Sequence, residues 1–110
     1  MDMVNVKRFE VWIVGLNPTV GSEISKNRPC VIISPDEANL YLNTVTIIPL
    51  TSTLKNYPTR VNCSFEGKKG QLAIDQIRSI DKVRLLKKIG EIDVKTCKLL
   101  CDVLLDNFSY

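Results

Sequence analysis

The 110-residue sequence predicts a mainly β domain with one helix, arranged as a small β-barrel or strongly curved sheet closed by a C-terminal helix. Three observations carry this. Short runs rich in β-branched and aromatic residues recur along the chain, separated by Pro, Gly, Asn and Ser turn signals. Helical spacing of apolar residues is sustained only from Asp93 onward, at Cys97, Leu100, Cys101, Leu104 and Phe108. Hydrophobic residues at 45% and charged residues at 25% are those of a chain that packs a core, and the length suits one domain over 1–110 without linker or repeat.

Residues 8–16, RFEVWIVGL, read as the first strand and end at Asn17-Pro18-Thr19 and Gly21-Ser22. The polar stretch that follows is a loop reaching Arg28-Pro29, and the apolar run from Cys30 to Ile33 is the second strand. Ser34 to Asn39 fits a turn or one helical turn, and Thr44 to Leu50 a strand that Pro49 ends or marks as an edge. A second polar loop, Thr51 to Pro58, leads to Thr59–Cys63, whose period-two alternation is that of a half-buried strand. Gly67-Lys68-Lys69-Gly70 reads as a tight basic turn and Gln71 to Ile77 as a further strand. Ser79 to Lys82 looks like a cap for a helical turn at Val83 to Leu85, and a short strand through Lys88 to Ile92 precedes the helix, with Asp93 as its N-cap.

Composition removes several function classes. The chain has no histidine, the usual general base near neutral pH, partner of nucleophilic Ser or Cys, and commonest metal ligand. Cysteines at 30, 63, 97 and 101 form no C-x-x-C pair and read as buried free thiols, so no metal site and no cofactor are expected. Fifteen Lys and Arg against twelve Asp and Glu give a net charge of +3, which permits a nucleic-acid partner without requiring one. The N-terminal stretch, MDMVNVKRFEVWIVG, is too short and too charged for a signal peptide or a membrane span, so the cytoplasm is the expected location.

Chemistry is expected in the two polar loops, since each leaves the end of an apolar strand and neither holds a Gly-rich phosphate cradle. They offer Arg28 beside Pro29 and the hydroxyls of Thr51, Ser52 and Thr53. A permanently charged planar guanidinium and a hydroxyl together suit a phosphodiester. Lys26, Lys55, Arg60, Lys68, Lys69 and Arg78 are candidate phosphate contacts, Tyr57 a candidate for stacking on an unpaired base, and Trp12 a packing residue of core or dimer interface.

The run VWIVGLNPTVGSEISKNRPCVIIS, followed by PLTST, NYPTRV and GQLAIDQIRSIDKVRL, resembles the MazF/PemK toxins over about Arg8 to Ile92, with the motifs in the family's order. The resemblance implies an SH3-like barrel shared with the CcdB gyrase poisons. It also implies a homodimeric endoribonuclease that cleaves single-stranded mRNA at short specific sequences, without metal, and is neutralised by a MazE-like antitoxin. By motif, Arg28 and Thr51 are the catalytic residues and Glu23 is either a base or a partner that orients Arg28. Ser22, Lys26, Ser52, Tyr57, Asp75 and Gln76 are RNA-binding candidates. Some family members place an Arg two residues before the acid of the Asp-Gln motif; that position is Ala73 here, which leaves Asp75 as a structural or base-reading group. The alternative is a CcdB-like module that poisons DNA gyrase by gripping protein, or a paralogue that keeps the fold and lacks the activity.

Overall fold

The computed structural model describes residues 5–110, so the reading of Met1 to Val4 as part of a charged N-terminus lies outside the described residues. Seven strands form the sheet: β1 (Glu10–Gly15), β2 (Asn27–Ile32), β3 (Thr44–Thr51), β4 (Arg60–Phe65), β5 (Lys68–Ala73), β6 (Arg78–Asp81) and β7 (Leu85–Glu91). Helix α1 (Asp36–Tyr41) lies between β2 and β3, and α2 (Val94–Phe108) ends the chain. The strand order is β4-β5-β3-β2-β1-β7, and β6 pairs with β3 off that path. Every pairing is antiparallel.

Strand β3 is the pivot. Its first half, Thr44 to Ile47, pairs with β6, and its end, Leu50 and Thr51, pairs with β5. The change of partner falls at Ile48 and Pro49, which explains why Pro49 lies inside the strand instead of ending it: a residue lacking an N–H is tolerated where the ladder is interrupted. Strand β2 is covered on both faces, with Cys30 and Ile32 in a core shared with Val14, Leu16, Val45, Ile47 and Ile80. Its Val31, with Ile33 just past its end, joins Val11, Ile48, Leu72, Ile74 and Leu100 in a second core under α2. Burial on both faces is the reason that stretch is apolar without alternation. Helix α2 starts at Asp93, whose carboxylate accepts the Thr96 N–H at 2.7 Å, and seats a fully buried Leu100 on the sheet.

The mainly β class with a C-terminal helix is as expected, and of the two forms expected, barrel or curved sheet, the hydrogen-bonded path is the open one: it does not close. Its end strands β4 and β7 meet through side-chain packing: a Cβ at Gly90 would lie 3.0 Å from the Phe65 ring. Two register shifts between β1 and β7 bend that edge.

Several boundaries also differ. Strand β2 begins at Asn27, so Arg28 and Pro29 belong to the strand and not to the loop. The hairpin turn is Glu66-Gly67, both at positive φ (51° and 77°), and Lys68-Lys69-Gly70 runs in β5 opposite Ser64 and Cys63. The expected strand from Gln71 to Ile77 stops at Ala73, where Ile74 to Gln76 form a 3-10 turn. Ser79 and Ile80 lie in β6, and Asp81 caps a 3-10 turn at Lys82–Arg84, one residue earlier than expected. Strand β7 begins at Leu85, its exposed Lys87 and Lys88 hiding the strand from an apolar count.

Glu10 is buried within β1, where its carboxylate accepts the Lys7 N–H at 2.8 Å and the Trp12 indole at 3.1 Å and pairs with Lys88 at 2.7 Å. Burial alone would raise its pKa. The hydrogen bonds from Lys88, Lys7 and Trp12 outweigh that and hold the group below its usual value. A depressed carboxylate stabilises the fold above the usual carboxylate range and loses that contribution as pH falls through it. Glu10→Gln should therefore be less stable than the parent by roughly 1–3 kcal/mol near neutral pH in thermal unfolding, with the gap closing toward about pH 3. A gap independent of pH would show that the charge is not what Glu10 contributes.

Candidate active site

Arg28 and Thr51 occupy the shared end of two neighbouring strands. Cys30 faces Pro49 in the β2–β3 register, and two residues further along the same count Arg28 corresponds to Thr51. The Arg28 Nε donates to the Ser25 carbonyl at 3.0 Å, which fixes the plane of the guanidinium. Among the described residues its two terminal nitrogens have no protein hydrogen-bond partner. Thr51 is buried and its Oγ1 accepts the Thr53 N–H at 3.1 Å, so its own proton stays available for donation. Arg28 and Ser52 also line a groove of about 300 Å³ with Lys68 and Lys69. Ile13, Pro29, Leu50, Phe65 and Ile89 supply its apolar walls. Glu66 adds one carboxylate to the lining, so the groove sets three cations against one anion over an apolar floor, a balance that still favours an anionic ligand carrying flat apolar surface.

The first polar loop is held by groups from distant strands. Arg78 donates to the Leu16 carbonyl at 3.2 Å, and Arg84 to those of Gly15 and Asn17 at 3.1 and 2.6 Å. The Gln76 amide accepts the Ile24 N–H at 3.1 Å and reaches the Ser22 carbonyl at 3.5 Å. Glu23 accepts the Val20 N–H at 2.6 Å from an exposed position and makes no ion pair with Arg28, so the structure does not bring those two expected partners together. Lys26 is exposed at positive φ, its N–H donated to Asn17 Oδ1 at 3.3 Å.

Gln71 and Arg60 hold the second loop. The buried Gln71 amide clasps Lys55, accepting its N–H at 2.9 Å and donating to its carbonyl at 3.0 Å. The Arg60 fork meets Asp75, Nε on Oδ1 at 2.8 Å and Nη2 on Oδ2 at 3.3 Å, while the Thr59 hydroxyl donates to Oδ1. Burial would raise the Asp75 pKa; the Arg60 and Thr59 hydrogen bonds and the Arg60 charge prevail and keep it below the ordinary value. Burial pushes the Cys30 thiol up to about 12, which makes it an inert core group. All four cysteines are free, as expected, but Cys63, Cys97 and Cys101 are only partly buried.

Comparison with known proteins establishes the family. A family described as PemK-like, MazF-like toxins of type II toxin–antitoxin systems matches residues 7–108. The chain belongs to this family. It is 36% identical over 109 residues to Endoribonuclease MazF9 of Mycobacterium tuberculosis, covering 90% of this chain and 92% of that protein. In fold it is similar to crystalline MazF from Deinococcus radiodurans, at a TM-score of 0.85 and 22% identity over 97% of this chain and 99% of the other. A mycobacterial endoribonuclease solved in complex with its cognate antitoxin gives a TM-score of 0.80 and 21% identity over 96% and 98% of the two chains. The gyrase-poison alternative gains no support from these relatives.

For this PemK/MazF toxin the departure at Ala73 has a structural answer. Arg60 stands directly across β4–β5 from Ala73, so the guanidinium that reaches Asp75 comes from the neighbouring strand instead of from two residues upstream. Arg60 and Arg78, expected as phosphate contacts, are both engaged by protein groups, and Gln71 and Arg84 hold the loops without having been expected at the site. The only signal for Gln71 was a lone amide between Gly70 and an apolar run. Gly70 itself matters, because a Cβ there would lie 2.9 Å from the Thr51 carbonyl oxygen and 3.2 Å from a Leu50 methyl. Backbone would have to move to admit it. Gly70→Ala is expected to displace Thr51 and reduce the toxin's activity by about tenfold or more, with a stability loss of roughly 1–3 kcal/mol in denaturant titration. Unchanged activity would mean that Thr51 need not sit where the close approach puts it.

Proposed function

We propose that this toxin is a sequence-specific endoribonuclease that cleaves single-stranded mRNA without metal, Arg28 and Thr51 acting directly on the scissile phosphate. The ribose 2′-oxygen attacks the adjacent phosphorus and displaces the 5′-oxygen of the next nucleotide, leaving a cyclic phosphate and a 5′-OH. The 2′-OH loses its proton and the departing 5′-oxygen gains one, so the site needs a proton acceptor, a proton donor and stabilisation of the charge on phosphorus.

The observation that carries this reading is the pair at the strand ends: a guanidinium held by Nε with its terminal nitrogens open, and a hydroxyl that accepts a backbone N–H and can donate outward. Arg28 stabilises the equatorial oxygens through its fork, and Thr51 donates to one of them. With Asp75 held by Arg60, Glu23 is the carboxylate of the Arg28 loop that can accept the 2′-OH proton, through the oxygen that does not hold Val20, while Glu66 is the carboxylate in the groove itself. Lys68 and Lys69 attract the phosphates on either side of the break. The same cationic groove suits the tail of a MazE-like antitoxin, and relatives solved with their antitoxins support such a partner. The toxin acts as a homodimer in the cytoplasm, where its mRNA substrate is found; no helix among the described residues is long and apolar enough to cross a membrane.

Incubation with a defined single-stranded RNA, followed by mapping of the ends, should show cyclic phosphate and 5′-OH products unaffected by chelator. Arg28→Ala and Thr51→Ala should each lower cleavage by about a hundredfold or more while circular dichroism stays native, and Thr51→Ser should keep most of it. Cleavage at the parent rate by either alanine variant overturns these assignments.

A further inference from the structure

Tyr57 and Arg60 form a unit that the cleavage chemistry does not use. The Arg60 N–H donates to the Tyr57 carbonyl at 3.1 Å, closing a tight turn through Pro58 and Thr59 that sets the ring beside the start of β4. The Arg60 guanidinium carbon lies 5.4 Å from the Tyr57 ring centroid. That guanidinium cannot serve a phosphate. Asp75 takes its Nε and Nη2, Nη1 points to the Thr53 carbonyl at 3.2 Å and the Gln71 amide oxygen at 3.4 Å, and the side chain is only 7% exposed. Tyr57, in contrast, is 50% exposed. The result is an aromatic ring backed by a buried cation and open to solvent, carried on the loop that follows Thr51 at the end of β3.

We infer that Tyr57, backed by Arg60, is a stacking platform for one unpaired base of the RNA cleaved at Arg28 and Thr51, with Arg60 as the residue that positions it. A ring that is half exposed in the protein loses entropy only once, in its own folding, and presents a π-face that any nucleobase can cover. The buried guanidinium behind it, fixed by four acceptors, prevents the ring from folding back against the loop. A protein surface built to grip a phosphate would have left that guanidinium open, as Arg28 is. The inference rests on the ribonuclease reading above, and the test separates the two.

The measurements are steady-state cleavage of a mixed-sequence single-stranded RNA with its cut sites mapped, and binding of the same RNA fully 2′-O-methylated, which presents bases but no 2′-nucleophile. Tyr57→Leu should weaken binding and raise KM by about tenfold, leave kcat near the parent value, and relax base preference at one position beside the cut. Tyr57→Phe should resemble the parent, since the ring is kept. Arg60→Lys, which keeps the charge and loses the fork, should show the Tyr57→Leu pattern more weakly. Unchanged binding and cut-site preference in Tyr57→Leu overturns the platform, and so does a fall in kcat with KM unchanged, because that pattern would mean the loop only positions Thr51. Failure of the parent protein to cut any RNA would instead remove the ribonuclease reading, and binding of the methylated RNA would still decide whether Tyr57 stacks a base.

Discussion

Two polar segments leave the apolar strands at β1 and β3, and their backbone groups need partners that a sheet ladder does not provide. The protein meets this with long side chains from distant strands. Gln71 clasps Lys55 from β5, Arg60 reaches the Thr53 carbonyl from β4, and Gln76, Arg78 and Arg84 hold the first loop from the chain that follows β5. No buried side-chain nitrogen or oxygen among the described residues is left without a partner. Half-buried amides and guanidinia are costly to strand, so each tether keeps its loop in one place. Arg28 and Thr51 stand at the roots of these tethered loops, and the joint action proposed for them on one phosphate needs them held to within a fraction of an ångström.

The same constraint divides the cations into two kinds. Arg60, Arg78 and Arg84 are engaged by carbonyls or by Asp75 and serve architecture, while Arg28, Lys68 and Lys69 line an open groove. A net charge of +3 is modest, and the groove presents three of the chain's fifteen Lys and Arg beside one carboxylate, Glu66. The absence of histidine fits this division. In the proposed reaction the charge on phosphorus falls to Arg28 and a hydroxyl and a carboxylate takes the 2′-OH proton, so no imidazole is called on. The partnership of Asp75 with Arg60 follows the same economy: a carboxylate satisfied by a fork is a brace for Tyr57 and Thr59 before it is an acid or base.

Much of this protein was legible in its sequence. The β-rich pattern, the amphipathic helix capped by Asp93 and the two polar loops follow from local residue chemistry, and the structure keeps them; Arg28 and Thr51 are singled out by resemblance to a family's motifs. What failed locally did so for tertiary reasons. Lys68 and Lys69 read as a turn because charge and flanking glycines are turn signals, but the positive φ values at Glu66 and Gly67 place the reversal two residues earlier. Lys87 and Lys88 hid half of β7, since an exposed edge strand needs no apolar alternation. Closure into a barrel depends on whether β4 and β7 come within hydrogen-bonding distance, which no local pattern encodes, and Phe65 against Gly90 takes that place.

By itself the sequence determined which chemistry was possible: no histidine, one arginine fixed beside a proline, a hydroxyl cluster after an apolar strand, and a motif order shared with a toxin family. Partnership was decided only by tertiary structure. Glu23 and Arg28 are five residues apart and do not meet, whereas Arg60 and Asp75 are fifteen apart and form the ion pair that matters, because antiparallel register sets Arg60 opposite Ala73. Side-chain reach is short compared with the distances the chain folds across, so a charge finds its partner through strand register, and register is a property of the whole sheet.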